Sequence, residues 1–281
     1  MSTWMVTGAS RGFGARITRA ALEAGHDVVA TARDPRAVSA HFPDAGDALL
    51  VLPLDVTDEN QARAVTAAAT QRFGGIDVLV NNAGRGLLGA VEEVSDEAAR
   101  AVYETNVFGT LNMLRAVLPG MRERRSGHIF NMSSVGGFTG APGWGVYAST
   151  KFAVEGLSEA LAAETAPLGI KVTVVEPGLF RTDFLDGSSL HTETNVIDDY
   201  QATAGGTRTF AADRNHDQPG DPAKAARIIV GLGGSEEAPL RLQLGADCVA
   251  RVEDKLRFVQ SELDQWREVA MSTDHDDVAA G

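Results

Sequence analysis

Tyr147 and Lys151 stand four apart in the run Tyr147-Ala148-Ser149-Thr150-Lys151, and on a helix that spacing puts both side chains on one face. An ammonium ~4–5 Å from a phenol, at an effective dielectric near ~20, favours phenolate by roughly 3–4 kcal/mol, or ~2–3 pKa units from the ordinary ~10. A tyrosine so placed exchanges protons near neutral pH. The plainer alternative is a surface i,i+4 pair, and the pair taken alone favours it. A second candidate is Thr7-Gly8-Ala9-Ser10-Arg11-Gly12-Phe13-Gly14. Glycines there permit a tight turn and close backbone approach, and a helix opening at that point offers free N–H groups and a positive dipole end to a pyrophosphate. The spacing is Gly-x-x-x-Gly-x-Gly, not the Gly-x-Gly-x-x-Gly fingerprint, so an ordinary strand-to-helix connection explains the stretch about as well. The same residues spell Gly8-x-Ser10-x-Gly12, the pattern of a hydrolase nucleophile elbow on Ser10. An elbow needs an oxyanion loop from an earlier strand, but only seven residues precede this one, and the chain beyond offers scattered His191, His216 and His275.

Whatever positions these residues is an alternation of short aliphatic runs and helical patterns. The runs are Thr3 to Thr7, Asp27 to Thr31, Leu49 to Leu54, Asp77 to Val80, His128 to Met132, Lys171 to Val175 and Leu240 to Leu244. Between them, Ile17, Ala20, Ala21 and Ala24, then Ala62, Val65, Ala69 and Phe73, then Leu114, Val117, Leu118 and Met121 repeat at helical spacing. Runs such as Ala48-Leu49-Leu50-Val51-Leu52 are apolar on both faces, as parallel strands covered by helices must be. The expected architecture is a Rossmann-type α/β fold, a doubly wound parallel sheet of seven strands in a single domain, with its ligand beyond the carboxyl ends of the strands. Asp34-Pro35, Asp58 to Gln61 and Ser95 read as helix starts.

Two segments break the alternation. Residues 183–219, 37 in number and rich in Gly, Ser, Thr and Asp, read as a lid or disordered loop over the strand ends, a lid being preferred. Val249, Val252, Leu256, Val259, Leu263 and Trp266 are spaced 3, 4, 3, 4, 3 and form one stripe on a helix over 248–270, which must pack on the core or on another subunit. The domain proper is expected over 1–247, with residues 271–281 a disordered acidic tail.

Charge and cysteine content narrow the function classes. Lysine and arginine number 25 against 38 acidic residues, a net charge of −13, and no basic stripe of the kind that neutralises nucleic-acid phosphates is present. One cysteine, Cys248, excludes internal disulfides, thiolate metal clusters and a C-x-x-C motif, and fits a reducing, cytoplasmic setting. There is no basic n-region before Thr3 and no uninterrupted apolar run of membrane length, so no membrane association is expected. The histidines lack metal-ligand spacing, and no carboxylate cluster suggests a metal.

Taken together, the glycine turn at 7–14, Asn81-Asn82-Ala83-Gly84 after the fourth run, Ser134 thirteen positions before Tyr147, Tyr147-x-x-x-Lys151, and Pro177-Gly178 after the sixth run resemble the short-chain dehydrogenase/reductase family. The likeness spans roughly residues 3 to 185 in that family's order and spacing. It implies that Tyr147 donates a proton to a carbonyl, that Ser134 hydrogen-bonds the same oxygen, that Lys151 holds ribose hydroxyls, and that Asn106 positions a water relaying the proton. It implies a dinucleotide held by Gly8, Ser10, Arg11, Gly12, Phe13 and Gly14, by Asn82, Ala83 and Gly84, by Asp55 and Val56 at the adenine, and by Pro177, Gly178, Phe180 and Thr182 at the nicotinamide. Without the resemblance, Asn106 reads as a satisfied buried amide and Asp55 as a turn residue. Members preferring NAD resemble one another in carrying Asp where this chain has Ala32; Arg33 follows, with Arg11 as a second guanidinium suited to a 2′-phosphate, so NADP(H) is expected. Phe138, Trp144, Phe184 and Leu185 suggest a mostly apolar small-molecule substrate, though each fits a core role. The implied activity is reduction of a ketone or aldehyde, as in carbonyl reductases. The rivals are a non-catalytic NADP(H)-sensing or scaffold protein of the same fold and a serine hydrolase using Ser10. A homodimer through the helices carrying Asn106 and Tyr147, or a homotetramer, is the expected assembly, the tetramer being in doubt because the C-terminal helix could cover one of its interfaces.

Overall fold

The computed structural model of the chain describes residues 1–275. The first half runs β1 (Thr3–Thr7), α1 (Gly12–Glu23), β2 (Asp27–Ala32), α2 (Pro35–Ser39), β3 (Leu49–Pro53), α3 (Glu59–Phe73), β4 (Val78–Asn81), β5 (Gly86–Leu88), α4 (Asp96–Tyr103) and α5 (Gly109–Arg124). The second runs β6 (Gly127–Met132), α6 (Gly145–Thr165), β7 (Ile170–Pro177), β8 (Leu190–Thr192), α7 (Gly206–Asp213), α8 (Pro222–Gly233), β9 (Arg241–Leu244) and α9 (Ala246–Met271). Seven strands form one parallel sheet in the order β3-β2-β1-β4-β6-β7-β9. The chain winds outward from β1 to β3, then crosses back to β4 on the other side of β1. The carboxyl ends of β1 and β4 therefore frame the crevice where such sheets bind ligands.

Alternation along each strand divides the core into two layers. Trp4, Val6, Val28, Ala30, Val78, Val80 and Phe130 face one side, where Ile17 of α1 and Ile229 of α8 cover them. Met5, Val29, Leu79 and Ile129 face the other, under Val65 of α3, Val117 of α5 and Leu161 of α6. The helical patterns bury the faces they predict: Ile17, Ala20 and Ala21 in α1, and Ala62, Val65 and Ala69 in α3. The expected caps form. Asp34 accepts from the N–H of Arg36, Asp58 from those of Asn60 and Gln61, and Ser95 from that of Ala98.

Residues 183–219 contain regular structure: β8 pairs in parallel with β5, and α7 follows a π-turn over Gln201–Gly205. The C-terminal helix runs from Ala246 to Met271, but only Cys248 and Val252 are buried on it, so most of its stripe packs on neither face of the sheet. The tail expected over 271–281 lies, from 276 onward, outside the described residues.

Phe130 is fully buried at the sheet centre and stacks on Trp4 with ring centroids 6.1 Å apart. Phe130→Ala is expected to cost ~3–5 kcal/mol of folding stability, read as a lower denaturant midpoint at unchanged slope.

Candidate active site

The turn after β1 follows from backbone needs that only glycine meets. Gly8 and Gly12 have φ of 66° and 54°, and a Cβ on Gly14 would come within 2.2 Å of the Gly8 carbonyl oxygen. The turn is tied to the end of β4 by two side chains. Thr7 Oγ1 accepts the N–H groups of Asn82 (3.0 Å) and Ala83 (2.9 Å), while Asn82 Nδ2 donates to the carbonyls of Thr7 (2.8 Å) and Gly8 (3.1 Å). A groove of about 610 Å³ opens above this junction, lined by Gly8, Ser10, Arg11, Gly12 and Phe13, by Arg33 after β2, by Asp55 and Val56 after β3, and by Asn82, Ala83 and Gly84. Gly14 lies beneath the turn and does not line the groove. Asp55 also serves its turn, since its Oδ1 accepts from the backbone N–H (3.0 Å) and hydroxyl (2.8 Å) of Thr57. Arg11 reaches the 183–219 segment, donating from Nη2 to the Ser188 carbonyl at 2.7 Å. The ring that touches Ser10 is His41, and it meets the backbone carbonyl, not the hydroxyl, at 3.0 Å. That is not the contact a nucleophile elbow requires.

Ser134, Tyr147 and Lys151 all line a second cavity of about 470 Å³, which shares Phe13, Asn82, Gly84, Arg85, Thr182 and Phe184 with the groove. Ser134 ends the segment after β6, and its Oγ accepts from the Gly136 N–H at 3.1 Å. Tyr147 and Lys151, one turn apart on α6, are both buried. Lys151 Nζ donates to the Met132 carbonyl at 2.8 Å and sits 5.8 Å from the centroid of the Tyr147 ring. Burial pushes the Tyr147 phenol above its ordinary value, and the Ser134 hydrogen bond pulls it down. The direction is opposite to the lowering expected from the helix spacing, because desolvation disfavours the phenolate. Burial also lowers Lys151 to about 8, against the attraction of Glu155.

Asn106 lies one layer behind, in a π-turn (Glu104–Phe108) joining α4 to α5. Its Oδ1 accepts from the Arg85 N–H (2.9 Å), and Nδ2 donates to the Arg85 carbonyl (3.0 Å) and Thr150 Oγ1 (3.0 Å). It thus fixes the backbone beside Gly84 and ties it to α6.

The second cavity takes Trp144, Phe184 and Leu185 as walls, with Pro177, Gly178, Phe180 and Thr182 on the groove side. Trp144, Tyr147 and Phe184 form a three-ring cluster, with the Trp144 and Phe184 centroids 5.5 and 5.6 Å from Tyr147 and 6.4 Å from each other. Phe138 is not a wall. It packs with Val135 against Cys248 and Val252 of α9, because the short turn after Ser134 directs it to that helix. Sequence reading missed Thr207 and Phe210 from α7, Gln218, and Arg251 from α9, all of which line this cavity. It also missed what holds the lid segment. Buried Glu93 accepts from the N–H groups of Ala90 and Ile197 and pairs with Arg208, and Glu193 accepts from the N–H and hydroxyl of Ser95. These acids sit about a hundred residues from their lid or loop partners, so no local spacing signals them.

The family model for short chain dehydrogenases matches residues 2–192. An oxidoreductase, BOA17, of Botryotinia fuckeliana is 40% identical over 271 residues, covering 96% of this chain and 98% of its own. A short-chain dehydrogenase of Streptomyces avermitilis superposes with a TM-score of 0.89 at 43% identity, covering 98% of this chain and all of its own. A serine dehydrogenase solved in closed form with NADP+ is 30% identical with a TM-score of 0.74 over 86% of this chain and 94% of its own. A fold neighbour from Burkholderia phymatum at 23% identity holds NAD.

Behind Lys151, Glu155 of α6 and Glu176 of β7 are both buried and share Arg241, whose Nε lies 3.3 and 3.4 Å from them. Burial pushes Glu155 up to about 7 from 4.5. Its carboxyl keeps its proton in the folded chain after the unfolded chain has lost it, so stability should fall as pH rises from about 4.5 through about 7. Glu155→Gln is expected to flatten that part of the profile, measured as unfolding midpoint against pH.

Proposed function

Because this chain belongs to the short chain dehydrogenase family, a family of oxidoreductases, we propose that it is an NADP(H)-dependent carbonyl reductase acting on a fairly apolar ketone or aldehyde. The observation that carries this reading is the meeting of Ser134, Tyr147 and Lys151 at the junction of a glycine-floored groove and an aromatic-walled cavity. The groove suits a dinucleotide: its turn is lined by Gly8 and Gly12 at positive φ, and a Cβ on Gly84 would lie 3.3 Å from Asn106 Oδ1 and 3.8 Å from Lys151 Nζ. The turn at 8–13 offers the pyrophosphate its N–H groups, Asn82 to Gly84 the adenosine side, Asp55 and Val56 the adenine, and Pro177, Gly178, Phe180 and Thr182 the nicotinamide end. When bound, the dinucleotide supplies the hydride.

The chain's own residues do the rest. Trp144, Phe184 and Leu185 exclude water from one end of the cavity and orient an apolar substrate toward the Tyr147 hydroxyl. Ser134 Oγ hydrogen-bonds the carbonyl oxygen and Tyr147 gives it a proton. The phenol is protonated at neutral pH, which is the form a donor needs, and burial raising its pKa makes it a weaker acid, so a bound substrate and dinucleotide must offset that cost. Lys151, held by Met132, presents its remaining N–H groups toward Gly84 and the ribose. Asn106 holds the Arg85 backbone against α6, so its side chain acts by positioning. The choice of NADP(H) rests on charge. Ala32 puts no carboxylate at the end of β2, and Arg33 and Arg11 both line the groove there. Buried Cys248, its thiol pushed up to about 12, fits a reducing cytoplasm, and no described helix is long and apolar enough to cross a membrane.

NADPH consumption over a panel of ketones and aldehydes tests the reading. Tyr147→Phe is expected to lose ~10²–10⁴-fold in rate while keeping NADPH affinity. Turnover surviving in the variant would overturn the assignment of the proton donor, and NADPH binding with no turnover on a broad panel would favour a sensor. Arg33→Asp is expected to shift the NADPH over NADH preference by ~10-fold or more toward NADH, read as the ratio of kcat/KM values.

A further inference from the structure

α9 is 26 residues long, and among the described residues its contact with the body is confined to its first two turns, where Cys248 and Val252 pack on Val135 and Phe138. Beyond them Leu256, Val259, Leu263 and Trp266 continue the Val252 stripe at spacings of 4, 3, 4 and 3, and are between 46% and 57% exposed. That spacing is the seam of a two-stranded coiled coil. Phe258 is off the stripe, with the Lys255 ammonium 5.1 Å from its ring centroid.

We propose that this stripe is a dimer seam, in which two copies of the chain pair their α9 helices antiparallel across a twofold axis near Ser261. The register follows from matching the stripe to itself: pairing residues 256–266, which span ~15 Å, with the same residues of the second copy sets Leu256 against the partner's Trp266 and Val259 against the partner's Leu263. Each copy then brings its last turn to the point where the other helix joins its body, and the two bodies stand at opposite ends.

Charge supports the same register. Glu253 and Arg267 each follow a stripe position, Val252 and Trp266, so both flank the seam on one side. In the antiparallel pair Glu253 comes within two residues, ~3 Å along the axis, of the partner's Arg267, and this happens twice. On the other flank Glu262 approaches the partner's Glu262 near the axis, which limits the affinity. A lipid surface is the poorer occupant. Helices that lie on membranes have a polar face dominated by Lys and Arg, whereas α9 sets Arg251, Lys255, Arg257 and Arg267 against Asp247, Glu253, Asp254, Glu262, Asp264 and Glu268, on a chain of net charge −13. The seam also borders the site, because α9 supplies Arg251 to the apolar cavity, and its Asp247 accepts the Leu179 N–H at 2.8 Å.

Sedimentation equilibrium of the full chain over a concentration series tests this. The wild type is expected to dimerise, and Leu263→Glu, at an exposed position, to raise the dissociation constant more than ~100-fold with unchanged circular dichroism. Arg267→Glu should weaken the dimer, Glu253→Arg with Arg267→Glu should restore it, and Glu262→Gln should tighten it. A wild type that stays monomeric, or a Leu263→Glu variant whose assembly state matches the wild type's, overturns the proposal. So does an unchanged dimer in Arg267→Glu, which would exclude this register. Flotation of the wild type with phosphatidylserine vesicles, lost in Leu263→Glu, would assign the stripe to lipid instead.

Discussion

The bond network between Thr7 and Asn82 decides where everything else in the site can be. Parallel strands leave their carboxyl ends open, and at the point where the sheet changes winding direction nothing in the ladder joins the loop after β1 to the loop after β4. Thr7 Oγ1 and Asn82 Nδ2 make that connection with four hydrogen bonds between 2.8 and 3.1 Å. The glycine turn is thereby held open against Gly84, and Gly84 is held against Asn106 and Lys151. Buried amides and hydroxyls that satisfy one another in this way specify a single arrangement, because any slip leaves a polar group unpaired in an apolar core.

Electrostatics at the centre of the site are governed by burial more than by the neighbouring charge. Tyr147 is raised and Lys151 lowered, both chiefly by desolvation, and the lysine is committed to a strand carbonyl at 2.8 Å. The spacing of two residues on a helix face fixes only that they can meet; the direction of a four-carbon side chain is decided by the acceptors around it. Here the acceptor is Met132 O at the end of β6. The same strand end carries Ser133 beside Glu155, so the polar groups behind the site form a second layer supporting the first.

What could be read in the sequence was local. Strand runs, helix faces and the caps at Asp34, Asp58 and Ser95 depend on residues within a few positions of one another, and the structure has them at nearly those bounds. The seven-stranded parallel sheet followed from that alternation. What escaped depends on distant contacts. Phe138 was placed in the cavity because it lies near Ser134 in sequence, whereas α9, more than a hundred residues later, claims it. Glu93 and Glu193 gave no local sign of anchoring the segment over the strand ends, and its composition suggested less order than β8 and α7 provide. Arg251 could not be assigned to the cavity without knowing where α9 begins its path.

The segment from Thr182 to Leu190 contributes walls to both cavities, Thr182 and Phe184 lining each of them. Arg11 adds a direct strut from the glycine turn to Ser188. A wall held in common makes the two sites thermodynamically reciprocal: whatever displacement of this segment one ligand favours must change the affinity for the other by the same factor. Selectivity for a substrate is then a property of the pair of ligands, not of the apolar cavity alone.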